Sequence, residues 1–293
     1  MNENKLHMVN KLIQKDGVCN TFLDDVKIYK TSKPESLSAH LYDNCIIFVL
    51  QNFKKVKLHE KILEYNPNNY LVAASTFPFE CTAFPSNDEP LIALVITINQ
   101  KVMHQVINDV STSHNLESKN SEIGPFIDKV TPQIDDALYR LLCVLNSKEE
   151  SHVLGAAIVR ELFYRVAKGD NASYLHKLFN QASNEAKVSR SLKVIHNEFY
   201  KELNIPVLAR MQDMSEASFH TYFKVITGYT PFQYIKKIRL TKAREFINEE
   251  NFSVSETAHK VGYGSTAQFS REFKKYFGFS PKESRVSFEE YSL

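Results

Sequence analysis

The sequence predicts an α+β chain in two parts. The first is an N-terminal antiparallel β-barrel or jelly roll with flanking helices, and the second is a C-terminal all-α part holding two tandem helix-turn-helix units. Three observations predict this. Short apolar runs fill the first hundred residues, helical periodicity replaces them from about Gln100, and the last hundred residues repeat internally at an offset of 50. With 293 residues and 43% hydrophobic content, the chain can bury two cores of ordinary domain size.

From Asn4 to Asp16, Leu6, Val9, Leu12 and Ile13 share one helical face, and Gly17 stands where a helix ends. Strands are expected at Val26–Tyr29, Cys45–Leu50, Val56–Leu63 with alternation, Tyr70–Ala74 and Leu91–Ile98. Turn-forming stretches such as Asn66-Pro67-Asn68-Asn69 and Pro85-Ser86-Asn87-Asp88 separate them. A closed or double-sheet arrangement would remove exposed edges. Within it Ile47, Val49, Leu71, Leu94 and Ile96 are expected to alternate inward, either lining a site for a small apolar or carbonyl-bearing molecule or simply filling the barrel. Two amphipathic helices follow, one carrying Ile134, Leu138, Leu141, Leu142 and Leu145, the other Leu154, Ile158, Leu162, Phe163 and Val166. Gly169-Asp170 ends the second. The polar stretch Asn180–Lys187 marks a boundary between residues 1–180 and residues 186–293.

Net charge is +2, but it is unevenly placed. Ala186 to Arg285 holds 17 Lys and Arg against 10 Asp and Glu, leaving 19 against 24 elsewhere. A basic C-terminal part suits approach to a polyanion. No apolar run reaches transmembrane length and the start lacks a secretory pattern, so a cytoplasmic protein with no membrane partner is expected. The four cysteines, Cys19, Cys45, Cys81 and Cys143, are widely spaced and read as reduced thiols. Cys45 and Cys143 sit in apolar runs that suggest burial, which leaves Cys81 as the candidate redox or electrophile sensor. His40, His59, Glu60 and Glu64 lack metal-ligand spacing, and no phosphate-binding loop or nucleophile elbow occurs, so neither an enzyme nor a cofactor is expected.

The repeat carries the functional signal. Ser215, Ala217, Phe219, Phe223, Lys224, Gly228 and Pro231 are matched by Ser265, Ala267, Phe269, Phe273, Lys274, Gly278 and Pro281. In the first unit Pro206 opens a short helix, Val207–Met211, with a turn at Gln212–Met214. Ser215 then caps a helix that Gly228 ends. Phe219, Tyr222, Phe223 and Ile226 are expected inside, which leaves Glu216, Ala217, His220, Thr221 and Lys224 facing out. The second unit has Val254–Val261, the turn Gly262-Tyr263-Gly264, and a helix from Ser265 to Phe277 with Phe269, Phe273 and Phe277 inside. Its outward set is Thr266, Ala267, Ser270, Arg271 and Lys274. These two sets are the base-reading candidates, with Arg271 suited to a bidentate contact to guanine. Between them Phe232–Asn248 reads as a linker helix bearing Lys236, Lys237, Arg239, Lys242 and Arg244, where Lys236 and Lys237 are phosphate-contact candidates. Double-stranded DNA is the expected partner. The competing reading is a carrier whose basic helices dock an acidic protein.

The run from Pro206 through Gly228-Tyr229-Thr230-Pro231, Ile238-Arg239-Leu240 and Val261-Gly262-Tyr263 to Gln268-Phe269-Ser270-Arg271-Glu272-Phe273-Lys274 and Phe277-Gly278-Phe279-Ser280-Pro281 resembles the AraC/XylS family of bacterial transcription regulators. Upstream, Tyr70-Leu71-Val72-Ala73, Phe77-Pro78, Pro90-Leu91-Ile92-Ala93-Leu94 and Arg160-Glu161-Leu162-Phe163-Tyr164-Arg165 resemble the N-terminal domain of one subgroup. The resemblance implies a cupin-like effector or dimerisation domain, a homodimer, a small-molecule effector, and recruitment of RNA polymerase by an activator. Two departures stand out: Gln212-Asp213 where the family commonly has small residues with Gly, and Gly264 where an acidic residue is frequent.

Overall fold

The alternating runs of the N-terminal part form two antiparallel sheets in a computed structural model, which describes residues 2–42, 44–58, 61–74, 77–86, 89–111, 124–180, 183–248, 250 and 252–284. The chain divides into two compact units, Met1–Ala186 and Lys187–Leu293. In the first unit the larger sheet contains β1 (Gly17–Asn20), β2 (Val26–Thr31), β4 (Cys45–Gln51), β7 (Asn69–Ala73), β9 (Leu91–Thr97) and β10 (Phe126–Lys129), in the order β1-β2-β9-β4-β7-β10. The smaller sheet contains β3 (Glu35–Tyr42), β5 (Phe53–Leu58), β6 (Lys61–Tyr65) and β8 (Phe77–Phe84), in the order β3-β8-β5-β6.

Strand β4 shows why these residues make this sheet. Its first six positions, Cys-Ile-Ile-Phe-Val-Leu, are all buried, as a strand covered on both faces requires. Register sets Ile46 opposite Val72 and Ile96, and Phe48 opposite Tyr70 and Leu94. This face shares one core with α1 (Asn2–Leu12), α2 (Gln100–Ser111), α3 (Pro132–Val144) and α5 (Ala156–Ala167). Ile47 pairs with Leu71 and points the other way. The five residues expected to line one interior therefore divide: Ile47, Val49 and Leu71 take one face, and Leu94 and Ile96 take the helix-packed face.

Two further expectations are corrected. Val56–Leu63 is a hairpin, not one strand, with Val56 of β5 opposite Leu63 of β6; pairing Leu58 with Lys61 shifts the alternation by one residue, so Val56 is buried while Ile62, in phase with it in an unbroken strand, is exposed. His59, Glu60, Asn87 and Asp88 lie outside the described residues. Leu154 does not join the apolar face of α5. After α4 (Lys148–Glu150) the chain makes a π-helical turn, Ser151–Gly155, which rotates Val153 and Leu154 outward. The next helix, α6 (Ser173–Phe179), adds Tyr174 and Leu175 to the core. Cys45 is buried as expected, but the other two cysteines are reversed: Cys81 is buried beside the Tyr65 hydroxyl, whereas Cys143 is only half-buried because it lies off the apolar stripe of α3.

The second unit is helical: α7 (Asn184–Glu198), α8 (Ile205–Arg210), α9 (Glu216–Thr227), α10 (Pro231–Asn248), α11 (Val254–Lys260) and α12 (Thr266–Phe277). Aromatic rings anchor it. Phe219 packs on Phe223, and Phe223 meets Tyr234 of α10 nearly edge-on at 5.4 Å. In the other half Phe269 and Phe273 join Leu240, Ala243, Ile247, Ala258 and Val261. Each of these four phenylalanines is fully buried, so truncating any one to alanine costs about 3–5 kcal/mol.

Candidate nucleic-acid interface

Helices α9 and α12 begin and end by the same local chemistry. The Ser215 hydroxyl accepts from the Ser218 N–H at 3.2 Å, and that of Ser265 from the Gln268 N–H at 3.4 Å. Gly228 and Gly278 close the helices at φ 73° and 87°, left-handed values that suit glycine. Their N–H groups donate to Lys224 and Lys274.

The turns before these helices match at one residue less. Asn204 and Ser253 cap α8 and α11, and the left-handed residues that follow are Asp213 and Gly262. The Met214 N–H donates to Ala209 and the Tyr263 N–H to Ala258, closing the same loop. Gly264 is thus an extra residue in the second turn, which explains why the serine caps are 50 apart while the first helices are 49 apart. The departure at Gln212-Asp213 is also accommodated. Asp213 takes the left-handed place at φ 51°, and the Gln212 side chain accepts from Arg190 Nε at 2.8 Å. Helix α8 starts at Ile205, two residues before the expected Val207.

Both helices present an outward stripe at matching positions. Ala217, Thr221 and Lys224 are exposed on α9, and Ala267, Arg271 and Lys274 on α12. Spacing of four and three residues puts each trio on one face. Glu216 is exposed beside half-buried His220, whose Nε2 lies 4.0 Å from its carboxylate. Thr266 and Ser270 are half-buried, and Thr221 donates its hydroxyl to the Ala217 carbonyl. Tyr222 and Phe277, expected inside, are half-buried. Sequence reasoning passed over two exposed residues, Ser218 and Gln268, in the first turns. The Gln268 amide donates to the Glu272 carboxylate at 3.4 Å, and a glutamine in the first turn after a serine cap was legible in the sequence.

The linker helix differs from expectation. Lys237 is buried, with its ammonium 3.1 Å from the Tyr229 hydroxyl and over the Tyr229 ring. Lys236 pairs with Glu272 at 2.9 Å. Lys242 pairs with Glu245, and Arg244 stacks on Phe277 and Phe279. Most of this helix's positive charge is therefore spent inside the unit, because an 18-residue helix packed between two halves has little free face. Burial raises the Glu272 carboxyl, but hydrogen bonds from Lys236, Tyr263 and Gln268 outweigh it and hold the group below the usual carboxylate range. Burial likewise pushes the Tyr263 hydroxyl upward, as does its bond to Glu272. Among the described residues no cluster of His, Cys, Asp or Glu is placed to hold a metal ion, and no helix is long and apolar enough to cross a membrane.

A sheet-based N-terminal unit followed by two capped helix-turn-helix units on a shared linker helix defines a two-part regulator architecture. Comparison with known proteins assigns the family. A family model described as the AraC-type transcriptional regulator N-terminus matches residues 23–174, and a helix-turn-helix domain model matches residues 208–286. The chain belongs to the AraC-type transcriptional regulators. The transcriptional activator RhaS of Salmonella paratyphi B is 31% identical over 103 residues, 35% of this chain and 37% of that protein, so the match spans little more than a third of either. Solved structures of ToxT from Vibrio cholerae share the fold over most of the chain. One bound to an unsaturated fatty acid has a TM-score of 0.56 at 13% identity, covering 92% of this chain and 96% of that one. Another has a TM-score of 0.58 at 14% identity, covering 89% and 97%. They support the cupin-like two-sheet reading of the first unit.

Proposed function

We propose that this protein is a sequence-specific DNA-binding transcription activator whose α9 and α12 read two successive major grooves. The observation that carries the reading is the pair of matched exposed stripes, Ala217-Thr221-Lys224 and Ala267-Arg271-Lys274, on helices with identical caps. Glu216, His220, Thr266 and Ser270 flank these stripes and complete the contact surface, with Ser218 and Gln268 added. Lys236 contributes to the field near the duplex while holding Glu272. Lys237 serves the unit's interior.

The first unit, residues 1–180 with the rest of Met1–Ala186, is proposed to sense a small molecule and to pair two copies of the chain in the cytoplasm. Family membership supports this, and so does the fatty acid held by ToxT, a protein of the same fold. Contact with RNA polymerase is the proposed output.

In vitro selection of random duplexes by the full chain tests the reading. Enrichment of two blocks about ten base pairs apart is expected. Retention of all sequences alike, weakened only by salt, would favour a non-specific basic surface or an acidic protein partner.

A further inference from the structure

Two readers held rigidly favour one spacing between the blocks of a bipartite site, whereas a flexible tether tolerates several. Helix α10 has two working faces. On one, Tyr234 packs against Phe223 of the first reader, its hydroxyl 2.8 Å from His196 Nε2, and Lys237 reaches Tyr229. On the other, Arg239 divides its donors among three carbonyls. Nε donates to Phe199 at 2.7 Å, Nη2 to Lys201 at 2.8 Å and Nη1 to Gly262 at 3.1 Å.

Those carbonyls belong to two different places. Phe199 and Lys201 follow the C-terminus of α7, and α7 holds the first reader's turn: Arg190 donates to Gln212, and Lys187 Nζ lies 3.2 Å from the Asp213 carbonyl. Gly262 is the turn of the second reader. A continuous set of contacts therefore runs from the first turn through α7 and the Arg239 guanidinium to the second turn. Gly262 permits the approach. A Cβ there would overlap the Tyr200 carbonyl oxygen and lie 3.1 Å from Arg239 Nη2. Three fixed N–H directions from one planar group suit this task in a way that a single ammonium cannot.

We infer that Arg239 is a positioning residue that sets the separation of the two reading helices, and so the preferred spacing of the two DNA blocks, without touching DNA. The inference rests on the proposed function. A simple supporting role would weaken the second reader wherever it binds. A positioning role weakens only simultaneous engagement of both blocks.

The test uses the full chain and a series of duplexes carrying the selected site with zero, one or two base pairs inserted between the blocks, plus duplexes holding either block alone. Wild type is expected to lose about tenfold in affinity on the first insertion, since each base pair rotates the second block by roughly a tenth of a turn. Arg239→Ala should narrow that ratio to about threefold or less while single-block affinities stay at wild-type values, and Arg239→Lys should fall between them. Arg190→Ala, which frees the first turn from α7, should narrow the ratio in the same direction and guards against misfolding of Arg239→Ala. Arg239→Ala or Arg190→Ala protein with wild-type single-block binding and an unchanged spacing ratio overturns the inference. So does loss of the second block alone, which would make Arg239 a support for that reader only. Wild type that ignores block sequence altogether overturns the DNA-reading proposal instead.

Discussion

Asp213 and Gly262 occupy the same left-handed place in the two helix-turn-helix turns, at φ 51° and 84°. An ordinary side chain there costs roughly 1–2 kcal/mol, and aspartate is one of the few that tolerates it. Asp213→Gly should therefore change stability little, because relief of strain is offset by the extra freedom of glycine in the unfolded chain. Gly262→Ala should cost about 2 kcal/mol or more, since backbone strain is joined by collision with the Tyr200 carbonyl. Hydrogen exchange in the full chain checks both. The α11 and α12 amides should lose about thirty-fold protection in Gly262→Ala and stay near wild type around α8 and α9 in Asp213→Gly.

Buried and exposed lysines should separate by salt dependence. Lys274→Ala removes an exposed cation and should lower the slope of log affinity against log salt by about one, for every sequence tested. Lys237→Ala should leave that slope unchanged and instead destabilise the unit, because its ammonium serves Tyr229. An equal slope change in both variants would put Lys237 at the phosphates.

Arg271 differs from its repeat partner Thr221, so the two blocks should differ in kind. Arg271→Ala should cost about 1–3 kcal/mol at a single base position of one block and leave discrimination in the other intact. Binding to single-substituted duplexes reads this directly, and a uniform loss across all of them would make Arg271 a phosphate contact.

What the residues made legible was local. Serine caps, glycine terminators and buried phenylalanines of α9 and α12 follow from neighbouring residues alone, and so does the unbroken apolar run of β4. The fates of Lys236, Lys237 and Arg239 were not legible, since they depend on which sides of α10 the two halves cover. Ile47 and Leu94 could not be assigned to opposite faces without register, and the π-helical turn that exposes Leu154 leaves no periodic trace. The repeat's hidden one-residue shift at Gly264 needed the turn's hydrogen bonds to be seen.

Glu272 makes the second reader acid-sensitive. Its carboxyl titrates below the usual range in the folded unit, so its contribution to stability is complete above the unfolded value and is lost as pH falls through the lower folded value. Unfolding of the second reader followed from pH 6 to about pH 3 should show this loss, and Glu272→Gln should flatten it over that window. An unchanged profile in the variant would show that the Lys236 and Tyr263 bonds contribute nothing to holding α12.

The central claim is that α9 and α12 lie in successive major grooves on one face of a duplex. Methylation interference at guanine N7, which lines the major groove, measures it most directly on a selected site bound by the full chain. Two clusters of interference about ten base pairs apart, with the Arg271 block losing its guanine signal in Arg271→Ala, are predicted. A single cluster, or binding indifferent to N7 methylation, would contradict the account.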